Sequence, residues 1–340
     1  MYYHKTTFQL LTFYHFVDIP EQEVDQVVRE HLQFTKDIGM KGRVYIGTEG
    51  ISSTVTGNMW QIEAYKLFLA NSKYFKDVRD VDVKANNVEG HEFEKMIVKE
   101  RDEIVVLGEK VTAREVEKYD QRISTEEFKK IIDEGREDDY LILDMRNDYE
   151  YHLGHFKGAV PAGTVNFREV PTMLERYKQM ANGRKIIWYC TGGVRCEKAS
   201  VLMGKAGLDV AAIDGGVVKY TNKHNDGNWL GNLYTFDGRV STQIWDECTH
   251  TTIGKCSYSG KKTDNCENCR YTDCNARLIA DRDEHVAHMG FCSKECVRNA
   301  CETLLIKDVD WDDFVCPDNQ TGNEKEYKML RSKVRQGRVN

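Results

Sequence analysis

Three things are scarce in this chain of 340 residues: proline, cysteine in its first half, and any long apolar run. Only 4 prolines are present, with 40% hydrophobic and 30% charged residues, which excludes a long proline-rich or disordered chain. No apolar stretch approaches the ~18 residues needed to cross a bilayer. The most apolar early segment, Phe8 to Phe16, is broken by Gln9, Thr12 and His15 and runs on into the acidic Glu21–Asp25 segment, unlike a secretory signal. No positive excess exists either: 48 Lys and Arg against 55 Asp and Glu give −7, so nucleic-acid binding would need local basic patches. A globular cytoplasmic protein is expected, with two or three domains at roughly 150 residues each.

What is present is cysteine, 11 in all, and its distribution divides the chain. None precedes Cys190, Cys196 follows closely, and the other nine lie between Cys248 and Cys316. In a reducing compartment such thiols are catalytic or metal-bound before they are disulfide-paired.

Over residues 1–100 the pattern predicts a ferredoxin-like, acylphosphatase-like α+β domain of βαββαβ order. Phe8–Phe16 reads as a strand. Pro20 opens a helix with Val24, Val27, Val28 and Leu32 on one face, ending near Gly39. Arg43–Gly47 and Ile51–Thr56 form a hairpin about Thr48-Glu49-Gly50, and a second helix carries Ile62, Tyr65, Phe68 and Leu69. Val81–Val83 and Met96–Val98 complete the strands. Whether this domain docks another or touches substrate stays open at this level.

Residues 115–235 alternate helices with short apolar strands, as a parallel sheet requires. Ser124 and Glu127 form a capping box, and the runs Tyr140–Leu143 and Lys185–Tyr189 end in Asp144 and Cys190. Ligands of such sheets sit beyond the carboxyl ends of the strands, where both residues fall. The segment Cys190-Thr191-Gly192-Gly193-Val194-Arg195 is a glycine loop between strand and helix. Its glycines let backbone N–H groups turn toward the sulfur, and the helix that follows adds its positive end. Both lower a thiol pKa, so Cys190 is the candidate nucleophile and Arg195 a candidate anion holder. Cys196 either resolves an oxidised Cys190 or packs in the first helical turns.

Around this loop, Asp144-Met145-Arg146, Glu150, Gly154-His155-Phe156-Lys157-Gly158-Ala159 and Asp214-Gly215-Gly216 resemble a rhodanese domain. In rhodaneses the loop cysteine carries a persulfide, whereas related phosphatases use a loop one residue longer. Cys190 to Arg195 is the shorter kind. Gly42-Arg43-Val44 through Glu49-Gly50-Ile51, taken with the run from Cys190 through Arg195 to Cys196-Glu197-Lys198-Ala199, resembles the rhodanese-containing tRNA uridine hydroxylases. That resemblance implies oxygen-dependent conversion of the wobble uridine of tRNA to 5-hydroxyuridine, with dioxygen as co-substrate, tRNA as partner and Cys190 at the essential position. Asp144, Arg146 and Cys196 would support it. Two other readings remain: a sulfurtransferase carrying a persulfide on Cys190, and a non-catalytic RNA-binding protein.

His152 and His155 flank Glu150 and could mimic an iron site, though His155 is better read as a turn residue of the rhodanese pattern. Neither a dinucleotide fingerprint nor a Walker loop follows a suitable strand, so no nucleotide cofactor is indicated. In residues 245–318, Cys256, Cys266, Cys269, Cys274, Cys292 and Cys296 fall within 41 residues and suit a zinc-ribbon-like segment holding structural zinc. The resembling family often shows paired knuckles, and Ser259 stands where the first knuckle would have its second cysteine, which leaves the number of metals open; His285 and His288 could replace missing ligands. Unliganded reduced thiols are the other reading. Residues 319–340 end with Lys328, Arg331, Lys333, Arg335 and Arg338 and no acid after Lys328, a basic tail for RNA phosphates or a solvated terminus.

Overall fold

In the computed structural model the chain divides into two compact units, Met1–His250 and Thr251–Asn340. The structure describes residues 8–76, 78, 84–225, 227–237, 239–245 and 250–303. Val81–Val83, Cys248, Cys316 and the basic tail lie outside these. No helix among the described residues is long and apolar enough to cross a membrane.

The first unit begins with β1 (Phe8–Phe16), α1 (Glu21–Asp37), β2 (Lys41–Gly47), β3 (Gly50–Asn58), α2 (Met59–Ala70), β4 (Lys84–Val88) and β5 (Met96–Glu100). The five strands form one sheet of order β4-β1-β3-β2-β5. The first four pair antiparallel in a ferredoxin-like order, β4 falling just after the expected Val81–Val83, while β5 adds a fifth strand parallel to β2. Strand alternation decides the two faces. Leu11, Phe13, Val44, Ile46, Ile51 and Val55 are buried in one core with Val24 of α1 and Ile62, Tyr65 and Leu69 of α2. The alternate residues Thr12, Arg43, Tyr45, Ser52 and Thr54 face the other way and line a cavity.

Next come α3 (Ala113–Tyr119), β6 (Arg122–Ile123), α4 (Thr125–Asp133), β7 (Tyr140–Asp144), α5 (Asp148–Leu153), β8 (Gly154–Phe156), β9 (Val160–Pro161), α6 (Leu174–Ala181), β10 (Lys185–Tyr189), α7 (Val194–Lys205), β11 (Val210–Ile213) and α8 (Gly216–Lys223). Strands β6-β11-β10-β7-β9 form an all-parallel sheet, covered on both faces by apolar clusters as parallel sheets require. Ser124 caps α4 by accepting from Glu127 N (3.1 Å). This is a one-way cap and not the reciprocal box, because the Glu127 carboxylate is exposed and water competes for it.

Helix α7 departs from ordinary amphipathicity. Arg195, Cys196, Glu197, Lys198, Ala199, Ser200, Val201 and Met203 are all buried. One side packs in the cluster containing Trp188 and Leu143 of the parallel sheet. Val201 on another side packs with Phe16, Ile104, Val111 and Val116, so the first domain and the segment after it cover what would otherwise be the helix's wet face.

The second unit contains the short antiparallel pair Cys266–Asn268 and Arg277–Ile279, then helices Arg282–Ala287 and Lys294–Thr303. Its small core is Cys269, Phe291, Cys296, Val297 and Ala300.

Candidate active site and cysteine cluster

Cys190 follows β10, the middle strand of the parallel sheet, and α7 begins four residues later. Gly193 donates its backbone N–H to Cys190 Sγ at 3.0 Å. Its φ of +107° is a conformation L side chains rarely adopt, and an added Cβ would lie 2.5 Å from the Tyr14 hydroxyl. Gly216 is equally constrained, since a Cβ there would lie 2.3 Å from the Cys190 carbonyl oxygen. Burial alone would push the Cys190 thiol up. The Cys196 side chain, the Arg195 charge and the N–H groups of Cys196 and Gly193 outweigh it and hold the thiol well below its ordinary range. Burial and the neighbouring Cys190 push Cys196 the other way, so the environment favours ionisation of Cys190 over Cys196.

Arg195 is not a free anion hook. Its guanidinium forks onto Glu150 (Nη1–Oε2 2.7 Å, Nη2–Oε1 2.9 Å) and donates to Thr191 Oγ1 at 3.2 Å. Asp144 and Arg146 make a second buried fork (Nε–Oδ1 2.9 Å, Nη2–Oδ2 2.5 Å), and Arg146 also donates to the Gly154 carbonyl. That pair is fully buried and does not line the cavity, so it can act only by holding β7 and its loop in place. Because Glu150 belongs to Arg195, it is not offered to a metal. His155 Nδ1 donates to the Tyr151 carbonyl oxygen (2.9 Å) and the imidazole stacks on the Tyr151 ring, as a turn residue would.

The part of the first domain, left open by the sequence, rests on contacts that sequence reasoning did not name. The Tyr14 hydroxyl donates to Glu197 Oε1 at 2.7 Å, and Arg122 also pairs with Glu197. Lys198 Nζ, completely buried, reaches both oxygens of Glu49 (2.8 and 2.9 Å), Glu103 Oε2 (2.6 Å) and the Val105 carbonyl (3.0 Å). Glu49 in turn accepts from Ile104 N at 2.7 Å. The two segments that carried the family resemblance, one with Glu49-Gly50 and the other with Glu197-Lys198, are therefore joined by a buried ion pair. Their joint occurrence was the signal available.

Cys190, Thr191, Gly192, Val194 and Arg195 line a cavity of about 820 Å³, within the ~300–1,000 Å³ usual for ligand sites. Its opposite wall is the outward face of the first sheet, with Thr12 Oγ1 donating to Thr54 Oγ1 (3.3 Å) across the strands. The arrangement offers a thiolate on the wall of a cavity large enough for a base.

In the second unit, Cys269, Cys274, Cys292 and Cys296 place their sulfurs within 4.8 Å of one another. The Cys274–Cys292 and Cys292–Cys296 separations are 3.7 and 3.4 Å. Four thiolates on zinc at about 2.3 Å would be ~3.8 Å apart, so this cluster can hold a metal ion. The other two cysteines expected with them are placed elsewhere. Cys256 Sγ accepts from Asp281 N at 3.4 Å, and Cys266 sits on a strand opposite Ile279. His285 Nδ1 lies 3.1 Å from the Tyr258 hydroxyl and His288 stacks on the Tyr258 ring, so neither joins the four sulfurs.

Three family matches cover most of the chain. Residues 8–104 match a UPF0176 acylphosphatase-like domain, 124–223 a rhodanese-like domain and 230–297 a rhodanese C-terminal domain. A tRNA uridine(34) hydroxylase of Bacillus velezensis is 36% identical over 309 residues, covering 89% of this chain and 92% of that protein. Proteins of the same name from Oceanobacillus iheyensis and Staphylococcus aureus are each 35% identical, covering 88% and 89% of this chain and 91% and 95% of theirs.

Proposed function

We propose that Cys190 is the reactive thiol with which this chain, which belongs to the tRNA uridine(34) hydroxylase family, hydroxylates uridine in tRNA. The observation that carries the role of Cys190 is its sulfur, 3.0 Å from the Gly193 nitrogen that donates to it and lowered in pKa, on the wall of the shared cavity. A thiolate there can add to carbon 6 of a uracil ring, which leaves electron density at carbon 5 for reaction with dioxygen. One oxygen atom stays at carbon 5, giving 5-hydroxyuridine. The other leaves as water with two protons and two electrons from a reductant outside the chain, and expulsion of the thiolate restores the ring. A wobble base in an anticodon loop is already unpaired, so it can leave the stack without opening a duplex. The reaction belongs in the cytoplasm with its substrate.

Cys269, Cys274, Cys292 and Cys296 fit zinc in a structural role, since all four positions of a tetrahedron are filled by protein and none is left for a reactant.

The test is to incubate the full chain with unmodified tRNA, with and without oxygen, and weigh the nucleosides. A gain of one oxygen atom only in the presence of dioxygen is expected. Thiolated uridine formed without oxygen would overturn the hydroxylase chemistry and establish a sulfurtransferase using the same cysteine, the reading that the short rhodanese-type loop otherwise favours.

A further inference from the structure

The hydroxylase reading identifies the reacting sulfur but not what holds the nucleotide over it. Phe236 is one of few large apolar side chains left exposed, at 51%. It lines the same cavity as Cys190. The ring is fixed from behind: the Arg195 guanidinium carbon lies 5.7 Å from its centroid, and the Tyr234 ring meets it edge-on at 5.0 Å. Arg195 is itself locked by Glu150, so the aromatic plane has a rigid support. An aromatic ring held this way with a large part still open to a cavity has the form of a stacking platform, on which any base can lie.

The walls add charge. Arg43, on the outward face of β2, lies 5.6 Å from the Phe93 ring centroid, and Arg168 comes from the turn region after β9. Both are exposed, and among the described residues neither is ion-paired. The other two cavity arginines are taken, Arg195 by Glu150 and Arg239 by Asp237 at 2.6 Å. In a chain of net charge −7, two unpaired arginines at a cavity that also offers an open aromatic ring match a nucleotide: base to the ring, phosphates to the guanidinium groups.

We propose that Phe236 is the platform on which the target uracil stacks above Cys190, and that Arg43 and Arg168 hold the phosphates flanking it. This rests on the hydroxylase reading and assigns the first domain a direct part in binding, through Arg43.

The experiment uses the full chain and two synthetic anticodon stem-loops, one with uridine at position 34 and one lacking the base there. The wild type should bind the uridine loop about tenfold or more tightly, the size of one base–aromatic stack. Phe236→Ala should lose that preference and Phe236→Trp keep it. Since the ring is half-exposed, the melting temperature of Phe236→Ala should match the wild type. Arg43→Gln and Arg168→Gln should weaken both RNAs alike and each lower the slope of log affinity against log salt by about 0.7. A uridine preference that survives in Phe236→Ala, or that is absent in the wild type, overturns the platform. Unchanged salt slopes overturn the phosphate contacts. Loss of the hydroxylase reading would look different: normal discrimination between the two RNAs with no oxygen added to either.

Discussion

Two groups of cysteines in one chain are built for opposite ends. Around Cys190 there is one ionising sulfur, surrounded by donors: two backbone N–H groups, a neighbouring thiol and an arginine. In the second unit, four sulfurs surround one another, which is unfavourable for four thiolates unless a cation sits between them. The same residue type suits a nucleophile where the protein itself supplies the compensating positive potential, and a ligand where that is left to a metal. Solitude with donors, and not depth of burial, separates the two; Cys190 and Cys269 are both buried.

The largest expected effect is at Cys190. Cys190→Ser should fold as the wild type and lose essentially all turnover, since a hydroxyl at neutral pH is a far poorer nucleophile. Full activity in that variant would reduce the loop to a structural turn.

The cluster should break in a different way. Chelation, or Cys269→Ser, should expose the backbone of residues 251–303 to hydrogen exchange while leaving the parallel-sheet domain protected, because in so small a core the metal supplies much of the folding energy. Cys256→Ser and Cys266→Ser should leave metal content unchanged. A loss of metal in either would place those sulfurs among the ligands after all.

Support for the Cys190 loop comes from protein partners, so it should be sensitive to single charges. Lys198→Met leaves Glu49 buried and uncompensated, at a cost of ~3–5 kcal/mol in urea unfolding of the first unit. Adding Glu49→Gln should recover part of it. No recovery would mean that the two side chains do not act as a pair.

The smallest effect sharpens the role of Cys196. Its thiol helps hold Cys190 low, so Cys196→Ala should raise the Cys190 pKa and move the acidic limb of the rate profile to higher pH. Cys196→Ser keeps a donor and should move it less. Equal profiles for all three proteins would leave Cys196 a packing residue.

Much of this was legible beforehand. The alternation of Phe8–Phe16, the hairpin about Thr48-Glu49 and the strand–glycine–helix passage at Cys190 are local patterns, and the folded chain keeps them. The fifth strand of the first sheet, Met96–Glu100, was expected as a strand over Met96–Val98; its parallel pairing with β2 depends on the path of the chain between them. Helix α7 could not be read correctly as a surface helix, because Glu197 and Lys198 look solvated until the first domain is laid over them. Arg195 was legible as a cation near the sulfur, but not its capture by Glu150, 45 residues away. Phe236 carried no signal, since nothing in the run Leu233-Tyr234-Thr235-Phe236 says which aromatic ring stays exposed.

The sequence by itself determined the strand and helix periods, the turn chemistry of the Cys190 loop and the presence of two cysteine populations, since these depend on neighbours a few residues apart. Tertiary structure alone decided which four of six candidate cysteines gather, which carboxylate takes each buried cation, and which face of the first sheet looks onto the reactive sulfur. Lys198 and Glu49 are 149 residues apart and meet because burying α7 on two sides leaves an ammonium away from water, with the Glu49 and Glu103 carboxylates within reach. A charge sealed from solvent must find its opposite wherever the chain brings it, and nothing in local order says where that is.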